Sequence, residues 1–150
     1  MGLPQMCATA LAAGPGATED DLRWVESLFA ASGKTVRLPE HDIDAACAVS
    51  GSGPAYVFLL AEALQAAAME QGLRPDAARI LTQQTLLGAA TLLEHSEEDA
   101  PELRRKVTSP KGTTEAAIHT LQVGGFMELF SQALAANVAR SRELAHATPS

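Results

Sequence analysis

Pro54–Gln71, PAYVFLLAEALQAAAMEQ, reads as a long helix, and its pattern decides the fold class. Proline is tolerated in a first helical turn, and Gly72 is a natural stop. Tyr56, Val57, Leu59, Leu60, Ala63, Leu64, Ala67 and Ala68 fall on more than one face. A helix apolar nearly all round expects burial nearly all round. In so short a chain, that burial points to a partner subunit.

Working outward, Pro75 opens a second broadly apolar helix, running from about Asp76 to His95. Pro101 opens a short one, ELRRKV. Thr114 to about Val123 forms the next, Gly124–Gly125 breaks it, and Phe126 to about Ala145 forms the last. Upstream, Asp42–Val49 reads as a helix start that gives way at Ser50-Gly51-Ser52-Gly53. Further upstream, residues 6–12 (MCATALA) are weakly strand-like. Thr18 caps a helix whose first turn is acidic and which Gly33 closes, and Lys34–Leu38 alternates as a strand does. The expectation is a mostly α protein preceded by a strand, a helix and a strand.

Val107–Thr114, VTSPKGTT, interrupts the helices with a small polar loop. Pro110 biases Ser109 away from helical geometry, Gly112 is open to backbone angles closed to other residues, and Thr113 or Thr114 is placed to cap the following helix. A helix N-terminus with free N–H groups and hydroxyls suits a carboxylate or phosphate. The same spacing also satisfies an ordinary interhelical turn with a threonine cap.

Composition narrows the alternatives. With 150 residues and 47% hydrophobic content, the chain is long and apolar enough to fold as a domain. A formal charge of −7 and no basic run argue against nucleic acid as a partner. Cys7 and Cys47 form no CxxC pair and no metal-ligand spacing, which fits small buried residues in a reducing, cytoplasmic setting. His41, His95, His119 and His146 are scattered, so no metal site is expected. The opening residues lack a signal-peptide pattern, and no stretch reaches about 20 uninterrupted apolar residues, so no membrane span is expected. Neither GxGxxG nor a Walker motif occurs.

SGSGPAYVFLLAEAL (50–64), QTLLGAATLL (84–93), LRRKVTSPKGTTEAAIHTL (103–121), GGFMELF (124–130) and ARSREL (139–144) resemble, in order and spacing, the C-terminal half of pyrroline-5-carboxylate reductase. The resemblance implies that residues 1–40 are the last strand, helix and strand of a dinucleotide-binding domain, and that 41–150 are a helical bundle forming an interlocked homodimer or higher oligomer. It implies NADPH- or NADH-dependent reduction of 1-pyrroline-5-carboxylate to L-proline. It places the substrate carboxylate on Ser109, Lys111, Gly112, Thr113 and Thr114, with Thr114 also near the ring nitrogen as the catalytic position and Glu97 on the substrate side. Lys111 stands where the family usually has glycine, and Lys106 where it usually has a small or neutral polar residue.

These residues do not supply a glycine-rich phosphate loop, so the cofactor is not expected to bind tightly and the chain is not expected to reduce alone. A separate dinucleotide-binding chain is therefore among the partners implied. The competing expectation is a cofactor-free protein on the same scaffold. It would be an interaction dimer, or a lyase- or cyclase-like enzyme acting on an imine or carboxylate through Lys106 or Lys111.

Overall fold

The computed structural model describes residues 7–147. In chain order these form β1 (Cys7–Leu11), α1 (Glu19–Phe29), β2 (Gly33–Arg37), a 3-10 turn (Glu40–Asp42), α2 (Ile43–Ala46) and a π turn (Cys47–Gly51). There follow α3 (Gly53–Glu70), α4 (Pro75–His95), α5 (Ala100–Lys106), α6 (Thr113–Val123) and α7 (Phe126–His146). The fold is mostly α with a strand-helix-strand start. Contacts divide the chain into two compact units, one holding the residues up to Pro54 and from Ser131 on, the other Ala55–Phe130.

In the first unit β1 and β2 pair in parallel, with Cys7 opposite Gly33 and Leu11 opposite Arg37. Met6, expected to begin β1, lies outside the described residues. The crossover helix α1 starts at the expected cap: Asp21 N–H donates to Thr18 Oγ1 at 3.2 Å, and Thr18 N–H donates to Asp21 Oδ2 at 2.8 Å. Its end corrects the sequence reading. Ala30 is the C-cap, and Gly33 opens β2 instead. A Cβ on Gly33 would lie 2.0 Å from the Cys7 carbonyl oxygen, so the glycine serves close strand approach rather than helix termination. Arg37 then ties β2 to α1, its Nε donating to Glu26 at 2.6 Å and its Nη1 to Glu19 at 2.7 Å.

Residues 50–53 do not break the helix as their glycines suggest. Helical structure runs from Glu40 to Glu70. The run absorbs the glycines through its π turn, where Ser52 N–H donates to Cys47 O at 3.0 Å and the Ser50 hydroxyl donates to Ala46 O. This run has the length and composition of a membrane-crossing helix, which no uninterrupted apolar stretch of the sequence announces. Core helices of soluble proteins share both properties. The middle of α7 meets the same segment: Asn137 Nδ2 donates to Ser52 Oγ at 2.9 Å, and Ala48 is fully buried. Ala45, Val49, Leu134, Val138 and Ala139 line an apolar groove of about 380 Å³ beside it.

In the second unit, Gly72 ends α3 with φ +93°, and Leu73 N–H donates to Ala68 O, satisfying a carbonyl the helix end would leave open. Ala78 and Thr82, one turn apart on α4, are its buried residues among those described. Tyr56, Phe126 and Phe130 form an aromatic cluster, with Tyr56 edge-on to Phe130 at 6.4 Å. Large apolar side chains remain in solvent: Phe58 is 65% exposed and Leu59 66%. Among the described residues no large side chain is fully buried, so these helices carry apolar faces that the chain by itself does not cover.

Candidate functional site

The polar loop joins α5 to α6 in the second unit. Helix α5 is capped by Asp99, whose Oδ1 accepts from Glu102 N–H at 3.0 Å, and its last turn carries Arg104, Arg105 and Lys106, the signs its dipole favours. Two of these cations are held by carboxylates. Arg105 donates to Glu102 at 2.6 Å, a hydrogen bond that holds the Glu102 carboxyl below the usual range and raises the Arg105 guanidinium. Lys106 donates to Glu98. The chain leaves α5 through Thr108, whose hydroxyl donates to Arg104 O at 2.7 Å.

The loop brings Ser109, Lys111, Gly112, Thr113 and Thr114 into one contiguous turn, while Glu97 lies exposed between α4 and α5, next to the Glu98 that meets Lys106. Two sequence expectations are corrected here. Gly112, not Thr113 or Thr114, is the N-cap of α6, and Thr113 is its first residue. The unusual backbone belongs to Lys111, at φ +58°, whereas Gly112 has φ −88°. Glycine is still needed at 112, because a Cβ there would lie 2.9 Å from Ser109 O. Gly112 N–H donates to that same carbonyl at 3.0 Å.

Lys111 N–H is taken by Glu115 Oε2 at 2.7 Å, and Gly112 N–H by Ser109 O. Thr113 and Thr114 N–H groups have no acceptor among the described residues and lie on the exposed first turn of α6. Such amides, with the dipole behind them, are suited to an anion. Lys111, Gly112, Glu115, His119 and Gln122 also line an open groove of about 530 Å³ along α6. Sequence reading missed Glu115. Its signal was an acidic residue in a first helical turn, four residues after a lysine. Among the described residues no cluster of His, Cys, Asp and Glu is arranged to hold a metal.

The fold is a set of helices with uncovered apolar faces, joined by a polar turn with two open amides and preceded by a piece of parallel sheet. The chain belongs to the pyrroline-5-carboxylate reductase dimerisation family, whose model matches residues 40–144. It is 43% identical over 137 residues to a pyrroline-5-carboxylate reductase of Arabidopsis thaliana, covering 91% of this chain and 50% of that one. A solved pyrroline-5-carboxylate reductase from Coxiella burnetii superposes with a TM-score of 0.88 at 46% identity, over 91% of this chain and 51% of that one. The Plasmodium falciparum pyrroline carboxylate reductase, solved with NADP bound, gives 0.79 at 27% identity, over 89% and 55%. The chain spans about half the length of the relatives it matches.

Proposed function

We propose that this chain is the substrate-binding and dimerising part of a pyrroline-5-carboxylate reductase, a soluble cytoplasmic enzyme that reduces 1-pyrroline-5-carboxylate to L-proline in proline synthesis. The observation that carries the reading is the loop itself, with free Thr113 and Thr114 amides at the start of α6 inside the matched family region. The substrate carboxylate sits on Ser109–Thr114, Thr114 lies next to the ring nitrogen, and Glu97 borders the substrate. The division into residues 1–40 and 41–150 is supported by the family match beginning at residue 40.

The partner is a second copy. Phe58, Leu59, Ile80 and Met127 are each more than half exposed, and a homodimer of helices would cover such faces.

The reductant of the reaction is NADPH or NADH, which supplies hydride when bound. Among the described residues, the strand-helix-strand start does not form its phosphate site. At the N-terminus of α1, the Asp21 carboxylate already occupies Thr18 N–H, and Glu19 and Asp20 add negative charge in the first turn. A pyrophosphate would meet three carboxylates in that turn, whereas the first turn of α6 carries only Glu115. In this reading the dinucleotide site lies outside the described residues. What this chain contributes is orientation of the substrate and neutralisation of its carboxylate by backbone donors.

The test is pyrroline-5-carboxylate-dependent oxidation of NADPH. The chain alone is expected to show none, and adding the N-terminal dinucleotide half of the Coxiella burnetii enzyme is expected to restore turnover. Turnover by the isolated chain would overturn the division of labour. Absence of turnover in a mixture shown to associate would count against the reductase reading.

A further inference from the structure

Lys111 is the sole non-glycine residue at positive φ among those described. A side chain in this region brings its Cβ against the following carbonyl, so something outside the residue has to hold it there. Two bonds hold it: the turn bond from Gly112 N–H to Ser109 O at 3.0 Å, which brackets Pro110 and Lys111, and a second from Glu115, whose Oε2 accepts Lys111 N–H at 2.7 Å from the first turn of α6. A carboxylate accepting a backbone N–H is a charge-assisted bond, stronger than a neutral one.

We propose that Glu115 is a positioning residue for the ligand loop. Its carboxylate fixes Lys111 in the left-handed conformation, and with it the direction in which the Thr113 and Thr114 amides point. It also engages the Lys111 amide, so that the incoming carboxylate meets the Thr113 and Thr114 donors in a set arrangement. This rests on the reading of the loop as the carboxylate site. Glycine at 111 would adopt the same angles without help, so the requirement for Glu115 is tied to the lysine.

The test is calorimetric titration of the chain with pyrrole-2-carboxylate, in the E115A, E115Q, K111G and K111G/E115A variants, with helical circular dichroism confirming that each is folded. E115A is expected to weaken binding about tenfold. E115Q, whose amide oxygen still accepts the bond, is expected to stay within about threefold of the unmodified chain. In the K111G background, E115A is expected to cost less than about twofold, because glycine holds the conformation unaided. Should E115A fail to fold, E115D, one methylene short of the amide, reads the same loss. Equal binding by E115A and the unmodified chain would overturn the proposal, as would an equal loss in both backgrounds. Failure of the unmodified chain to bind pyrrole-2-carboxylate would instead overturn the reading of the loop.

Discussion

The Ser141 hydroxyl donates to Asp44 Oδ1 at 2.6 Å across 97 residues of sequence, fastening α7 to the short helix α2. Arg142 approaches the other oxygen of the same carboxylate at 3.5 Å. Removing one acceptor therefore loosens a contact between distant parts of the first unit. D44A is expected to destabilise the chain by about 1–2 kcal/mol and D44N by less, since its amide oxygen still accepts from Ser141. Urea denaturation measures both; equal midpoints for D44A and the unmodified chain would show that the contact contributes nothing.

Gly33 leaves no room for a methyl group. Its Cβ would meet the Cys7 carbonyl oxygen at 2.0 Å and the Cys7 nitrogen at 2.6 Å, both backbone atoms that cannot swing aside. G33A is expected to separate β1 from β2 at a cost of at least about 2 kcal/mol. Amide exchange at Cys7 and Leu38, which donate to Ser32 and Leu11 across the pair, should then lose protection.

Acid should loosen the first unit through its carboxylates. The Arg37 hydrogen bond holds the Glu26 carboxyl below its usual range, and the Thr18 hydroxyl does the same for Asp21. A depressed carboxyl contributes stability that is complete above the unfolded-state value and is lost as pH falls through the folded-state value. Thermal melts from pH 7 downward should show this decline below the ordinary carboxylate range. R37A should lower the midpoint at pH 7 and flatten the decline. A decline as steep in R37A as in the unmodified chain would remove Arg37 as its cause.

The uncovered helices predict association. Sedimentation at micromolar concentration is expected to give a dimer, and L59D to shift it toward monomer, because a charge cannot be buried unpaired in an apolar interface. Monomeric behaviour of the unmodified chain would contradict the homodimer.

Much of this was legible in residue patterns. Thr18 with Asp21 announced α1, Gly72 and Gly124–Gly125 ended their helices, and the apolar breadth of 54–71 announced a helix the chain cannot cover. What escaped were features set by packing rather than by residue type. Gly33 looks like a helix stop, but its lack of a Cβ is used by a strand 26 positions away in register. Gly51 and Gly53 look like a break, but a π turn carries the helix through them. In the candidate site the residues of the loop were identifiable, but its geometry was assigned to the wrong one. Gly112 invited the left-handed conformation, while Lys111 adopts it as the third residue of the Ser109–Gly112 turn, with Glu115 accepting its N–H from the next helix.

The most direct measurement is calorimetric titration of the unmodified chain with pyrrole-2-carboxylate and, separately, with NADPH. Saturable binding of the carboxylate with no detectable binding of NADPH is the result expected of a substrate-binding half whose cofactor site lies elsewhere. Tight binding of NADPH, or no binding of the carboxylate to the dimer, would contradict it.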